Sequence, residues 1–242
     1  MVYINYLYIQ IDIMDHYSID LHKFELTEYQ EILKNKKLLP GRIILHEEID
    51  NNFNVLKKEG IQTLGKLLDC LKTKQKIEIF SKKTGLTVEY LTILRRDASS
   101  FLSKPVHLKE FPTVSKTFIQ KLAEHGILHT KHYFDLTITK QDRENMANVT
   151  EASQSEVLKL THLSNLVRIN GVGPVFAIIL FEAGFKTIED IIKTSDIELF
   201  DKIIALNQEK NYTKANLGLN DMVYLKNFAQ KLPLITQYLI ET

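Results

Sequence analysis

From Thr27 onward the chain repeats one pattern: runs of about 8 to 18 residues with apolar positions three to four apart, most opening on Thr, Ser or Asn and closing on Gly or Pro. That spacing predicts helices from Thr27 to about residue 240. Thr27 with Gln30 and Ser195 with Glu198 have the spacing of capping boxes, and Gly60, Gly126 and Gly184 stand where a left-handed residue ends a helix. Pro105 and Pro233 follow helical runs. No segment alternates strongly enough to demand a sheet, and with 9 glycines and 5 prolines the connections should be tight.

The glycines reveal a repeat. Leu56 to Thr63 reads LKKEGIQT, Leu122 to Thr130 reads LAEHGILHT, and Leu180 to Thr187 reads LFEAGFKT, with the glycines 66 and 58 residues apart. Each copy continues into another apolar helix, marked by Leu67, Phe134 and Ile191 if the middle copy carries one extra residue. Modules of this size bury their apolar faces poorly alone and must pack on their neighbours. The expected organisation is a leader or tail over 1–13, a first helical module with an N-terminal helix over 14–104, a second over 105–169, and a third over 170–242.

The third module opens on the segment that carries chemistry. Leu166 to Gly184 reads LVRINGVGPVFAIILFEAG: an apolar helix runs into Asn170-Gly171-Val172-Gly173 and restarts at Pro174, a favourable first helical residue. In a helix-hairpin-helix, Val172 plugs the core and Ala177 lets the helices cross closely. The amides of Gly171, Val172 and Gly173 then face an anion such as duplex phosphate. Arg168 and Lys186 are the nearest cations in sequence. The plainer alternative is a tight turn in a helical stack: Val175 and Phe176 stand where DNA-binding hairpins commonly carry Lys or Arg.

On these residues the stretch from about Leu39 to Pro233 resembles the uncharacterised domain of unknown function 4332 family, whose members carry tandem helix-hairpin-helix-like modules. Leu166 to Gly184 is similar to its hairpin, Ile203 to Gly218 (IIALNQEKNYTKANLG) to the stretch that follows, and Leu91 to Pro112 to a segment of longer members. The resemblance implies an all-α fold of tandem degenerate modules and a docking role toward nucleic acid or protein, and it brings no catalytic residues. No G-x-G occurs around Pro40-Gly41 or Phe111-Pro112, so the other two modules depart from the hairpin pattern at those turns.

Composition narrows the function classes. With 31 Lys+Arg against 30 Asp+Glu, the net charge of +1 excludes a polybasic binder, but the distribution is uneven. Residues 51–110 hold 12 Lys+Arg and 6 Asp+Glu, and residues 161–242 hold 8 and 9. Lys82, Lys83, Arg95, Arg96 and Lys104 form a candidate phosphate-tracking patch, or else a solvated helix face. A single cysteine, Cys70, excludes an intrachain disulfide and Cys-rich zinc, fits a reducing cytoplasm, and reads as a small buried hydrophobe. His125, His129 and His132 straddle a helix end and do not share one face, so no metal or other cofactor is expected. Without a Walker loop, G-x-S-x-G or H-E-x-x-H, the chain reads as non-catalytic, with no small-molecule substrate evident. No apolar run approaches the roughly 20 residues of a membrane helix. Met1 to Ile13, rich in Tyr and Ile, lacks the plan of a signal peptide and reads as leader translated ahead of Met14, or else as a native strand or tail.

The sequence therefore describes a docking protein. Its expected partner is nucleic-acid backbone, bound without sequence preference. The alternative is a protein partner held by the same helices.

Overall fold

The computed structural model describes residues 16–36 and 38–234. The segment read as leader or tail, residues 1–13, and the helix expected to run to about residue 240 beyond Leu234 lie outside the described residues.

Apolar spacing becomes helix nearly everywhere it was expected. The described residues contain thirteen α-helices and two short 3-10 helices, Pro40–Leu45 and Leu108–Glu110. The α-helices are α1 (Leu26–Asn35), α2 (Ile49–Lys58), α3 (Leu64–Cys70), α4 (Lys74–Thr84), α5 (Val88–Ser99), α6 (Lys116–Glu124) and α7 (Thr130–Asp135). They continue as α8 (Lys140–Thr150), α9 (Gln154–Leu166), α10 (Pro174–Glu182), α11 (Ile188–Lys193), α12 (Asp196–Lys210) and α13 (Leu219–Ala229). Among the described residues there is no strand. Two isolated bridges, Glu25 to Thr63 and His107 to His129, are the only β pairing described.

The glycine repeat is a repeat of backbone geometry. After α2, α6 and α10 the glycines 60, 126 and 184 adopt φ of 76°, 76° and 98°. The next amide then donates back to the leucine five residues earlier: Ile61 to Leu56 (3.1 Å), Ile127 to Leu122 (2.9 Å) and Phe185 to Leu180 (2.9 Å). This is a Schellman-type stop, and all three leucines are fully buried. Thr63 and Thr187 then cap α3 and α11 by accepting from the amides of Lys66 and Asp190. The middle copy needs no extra residue. His129 takes the N-cap place without a side-chain bond, and Tyr133 stands where Leu67 and Ile191 stand, all three fully buried. Phe134 is buried one position later, against Tyr17.

One capping expectation fails. Helix α1 begins at Leu26 with Glu25 at the N-cap, so Thr27 lies in the first turn and makes no box. Gln30 is instead buried, and its amide donates to Asp50 (2.7 Å). Ser195 does cap α12 through the amide of Glu198.

One core cluster runs from Ile19 to Leu232 through all the modules. At its centre α9 is buried on nearly every side from Leu160 to Leu166 and packs on α7, α8 and α10. A helix enclosed in this way has no solvent face for its polar residues. Thr161, His162, Ser164 and Asn165 are therefore buried with the leucines, and the turn that leaves α9 emerges from the middle of the molecule.

Candidate functional site

That turn is built by four residues. The amide of Val172 donates to the carbonyl of Ile169 (3.0 Å), and Gly171 between them has φ of 89°, which makes a type II turn with glycine where positive φ is needed. Val172 is only 5% exposed and plugs the core as expected. Gly173 is the N-cap of α10 in extended backbone (φ −90°, ψ 178°), so its lack of a side chain is not a conformational need. It leaves the helix start bare. No side chain caps α10, Pro174 has no N–H, and among the described residues no protein acceptor meets the amides of Gly171, Gly173, Val175 and Phe176. Open donors at a helix start attract anions.

Two flanking segments hold the hairpin. The side-chain amide of Asn170 donates to the carbonyl of Ser100 at the end of α5, and its oxygen accepts from the hydroxyl of Tyr224 on α13 (2.9 Å). The Ser103 hydroxyl donates to the carbonyl of Arg168 (2.7 Å). Burial pushes the Tyr224 hydroxyl up to about 12, so it stays protonated and able to donate. A cleft therefore lies on each side of the turn. One, of about 390 Å³, is walled by Ser100, Ser103, Lys104 and the hairpin backbone. The other, of about 450 Å³, runs between Val175 and Phe176 and the facing Ala215, Leu217 and Leu225. The first presents a cation and the second is mostly apolar.

The cations read from sequence are redistributed. Arg168 is fully buried and does not reach the outer face of the hairpin. Its guanidinium donates to the carbonyls of His16 (2.6 Å), Tyr17 (3.0 Å) and Pro233 (2.8 Å) and to the Asn165 oxygen (2.5 Å), and it lies over the Phe134 ring. It fastens both ends of the described chain to the core. Lys186 is exposed but stands beyond the far end of α10, whose nine residues span about 13 Å, and it lies over the Phe181 ring (5.7 Å). The turn of Gly171, Val172 and Gly173 thus stands apart from both of these residues.

The second set of cations divides along α5. Lys82 and Lys83 end α4 beside the turn into the start of α5, where Lys83 pairs with Glu59. Arg95, Arg96 and Lys104 lie at or beyond the other end, all exposed, with no carboxylate within ion-pair distance among the described residues. Of the five, Lys104 lines a cleft at the hairpin. This cation and the turn lie in different modules of the sequence, and the bond that brings their segments together, Asn170 to Ser100, spans 70 residues.

The remaining candidates carry no site. Cys70 is partly buried against the core. Among the described residues no group of three or more His, Cys, Asp or Glu is placed to hold a metal ion. His107 and His129 meet edge to face (5.0 Å) at their bridge. No helix of the described residues is long and apolar enough to cross a membrane.

An all-α chain of repeated helix pairs, whose last repeat opens on an uncapped glycine turn, is the class that fold and site define. Residues 112–227 match the model of the family described as Domain of unknown function (DUF4332). The match covers the hairpin and the stretch from Ile203 to Gly218, while the part of the resemblance from Leu39 to Phe111 lies outside it. No curated protein and no solved structure matches the chain.

Proposed function

We propose that the protein is a non-catalytic docking module that holds the backbone of duplex nucleic acid without sequence preference, in the reducing cytoplasm that its single cysteine suits. The bare amides of Gly171, Gly173, Val175 and Phe176 contact one phosphate, and Lys104 across the adjacent cleft supplies the charge first sought in Arg168 and Lys186. The observation that carries this reading is an uncapped helix start beside a cation, Lys104, with no carboxylate at ion-pair distance among the described residues. Contacts of this kind are to phosphate and carry no base information. Titration of unrelated duplexes at low salt is the test: similar affinities that weaken with salt support the reading. A folded protein with no affinity for any duplex sinks it.

A protein-docking role is the second reading, favoured by the mostly apolar cleft of about 450 Å³ on the other side of the hairpin. There Val175 is 38% exposed and Phe176 is half-buried. Capture of a protein partner that is lost on Val175→Asp, in a protein without duplex affinity, would establish it.

A further inference from the structure

We infer that the duplex continues past the hairpin onto a second cationic position formed by Lys36, Arg42 and Arg96, so that the ligand is a run of consecutive phosphates and not one phosphorylated group. This inference rests on the reading above. Its starting point is Asp97 on α5, which is fully buried. One of its oxygens accepts from Arg42 Nη1 (2.7 Å) and from Lys36 Nζ (3.1 Å), and the other accepts from the Tyr29 hydroxyl (3.0 Å). Two cations thus converge on one carboxylate and leave a positive charge in surplus. Neither is enclosed: the Arg42 and Lys36 side chains remain 30% and 32% exposed. Arg96, the neighbour of Asp97, is exposed and adds a further charge.

Position ties this cluster to the hairpin. Arg96 lies one helical turn before Ser100, the residue whose carbonyl anchors Asn170, which places the two about 6 Å apart along α5. On the other flank, the Tyr224 hydroxyl that bonds Asn170 is held up by burial and also feels the Asp97 carboxylate. The Ser100 hydroxyl also donates to the Asp97 carbonyl (2.6 Å), so Asp97 and the two cations on its carboxylate are tied to the residue that anchors Asn170. A duplex carries a phosphate every 3.4 Å or so of axis on each strand, so a backbone resting on the hairpin brings neighbouring phosphates over this position. A lone phosphate would leave it unused.

The experiment is a fluorescence-anisotropy titration of the full chain with a labelled duplex of about 20 base pairs, repeated over a range of salt. Arg96→Ala and Lys36→Ala should each weaken binding on every sequence and flatten the log–log salt slope by up to about one unit. Asp97→Asn should do the reverse, tightening binding and steepening the slope, because it frees the charges on Lys36 and Arg42. Melting curves accompany that variant, since Asp97 is buried; Arg96 is exposed, so Arg96→Ala still decides the matter if Asp97→Asn does not fold. Unchanged affinity and slope in Arg96→Ala and Lys36→Ala, with binding still lost in Gly173→Val, overturns the second position and leaves the hairpin reading standing. Loss in the two cation variants, with Gly173→Val binding like the wild type, does the opposite. A wild-type chain that binds no duplex overturns both.

Discussion

The second and third modules begin their repeat helices in opposite ways. At α6 the hydroxyl of Ser115 accepts from the amide of Phe118, and the Ser115 amide itself donates to Glu156 on α9 (3.2 Å). At α10 the matching place is Gly173, which offers no side chain, and the amides behind it stay open. Downstream the two copies are the same: a buried leucine, a left-handed glycine and an apolar residue closing the turn. The fold therefore does not require a bare helix start, because the same architecture is built with a capped one. What distinguishes the third module is a surface property added to a common frame.

The largest effect expected from that difference lies beneath the hairpin. Arg168→Ala would remove the three bonds that the guanidinium makes to the carbonyls of His16, Tyr17 and Pro233. Leaving buried acceptors unsatisfied costs about 1 to 3 kcal/mol for each group, and the loss of several at once is visible as a large drop in melting temperature. If Arg168 instead served phosphate from the surface, the melting temperature would barely move while duplex affinity fell.

Acid should loosen the support of the same module. His162 on α9 packs against Phe181 of α10, and its burial lowers its pKa to about 4 from the ordinary 6.5. The folded state thus binds this proton less readily than the unfolded chain. Stability from this source is complete above pH 6.5 and falls as the pH drops toward 4, by about 3 kcal/mol at most. Denaturant titrations at pH 7 and pH 4.5 measure the change, and His162→Gln should remove much of it. Equal acid sensitivity in that variant would place the effect elsewhere.

The turn itself comes next. Gly171 has positive φ, so Gly171→Val should cost about 1 to 3 kcal/mol through backbone strain, although a β-carbon there meets nothing within 4 Å. A variant as stable as the wild type would show that the turn does not need the left-handed conformation.

Much of this was legible because the signals were local. Helix spacing, the glycine stops and the buried Val172 all follow from residues within a few positions of one another. The fate of the cations did not, because it depends on partners far along the chain. Arg168 meets carbonyls up to 152 residues away, and Lys104 comes to the hairpin through the bond from Asn170 to Ser100. Proximity in sequence favoured Arg168 and Lys186, whereas burial withdrew the first and the length of α10 removed the second. The extra residue assigned to the middle repeat had a similar cause: aromatic Phe134 looked like the core position, yet Tyr133 keeps the helical register and buries its ring while its hydroxyl donates to the Val157 carbonyl (2.9 Å).

The smallest expected change in stability gives the sharpest test of the comparison, because it turns the third module into the second. Gly173→Ser places at α10 the residue that Ser115 provides at α6. The backbone there is already extended, and a β-carbon meets nothing within 4 Å, so the serine enters without strain. Its hydroxyl can accept from the Phe176 amide, which should stabilise the helix start by a few tenths of a kcal/mol. The same bond removes a donor from the proposed phosphate contact, so duplex affinity should fall while melting temperature holds or rises slightly. Gly173→Val should lose binding as well, by blocking close approach of the backbone, with little loss of stability. Opposite movement of affinity and stability in Gly173→Ser cannot come from unfolding. If affinity stays with the wild type in both variants, the bare start of α10 is only a missing cap.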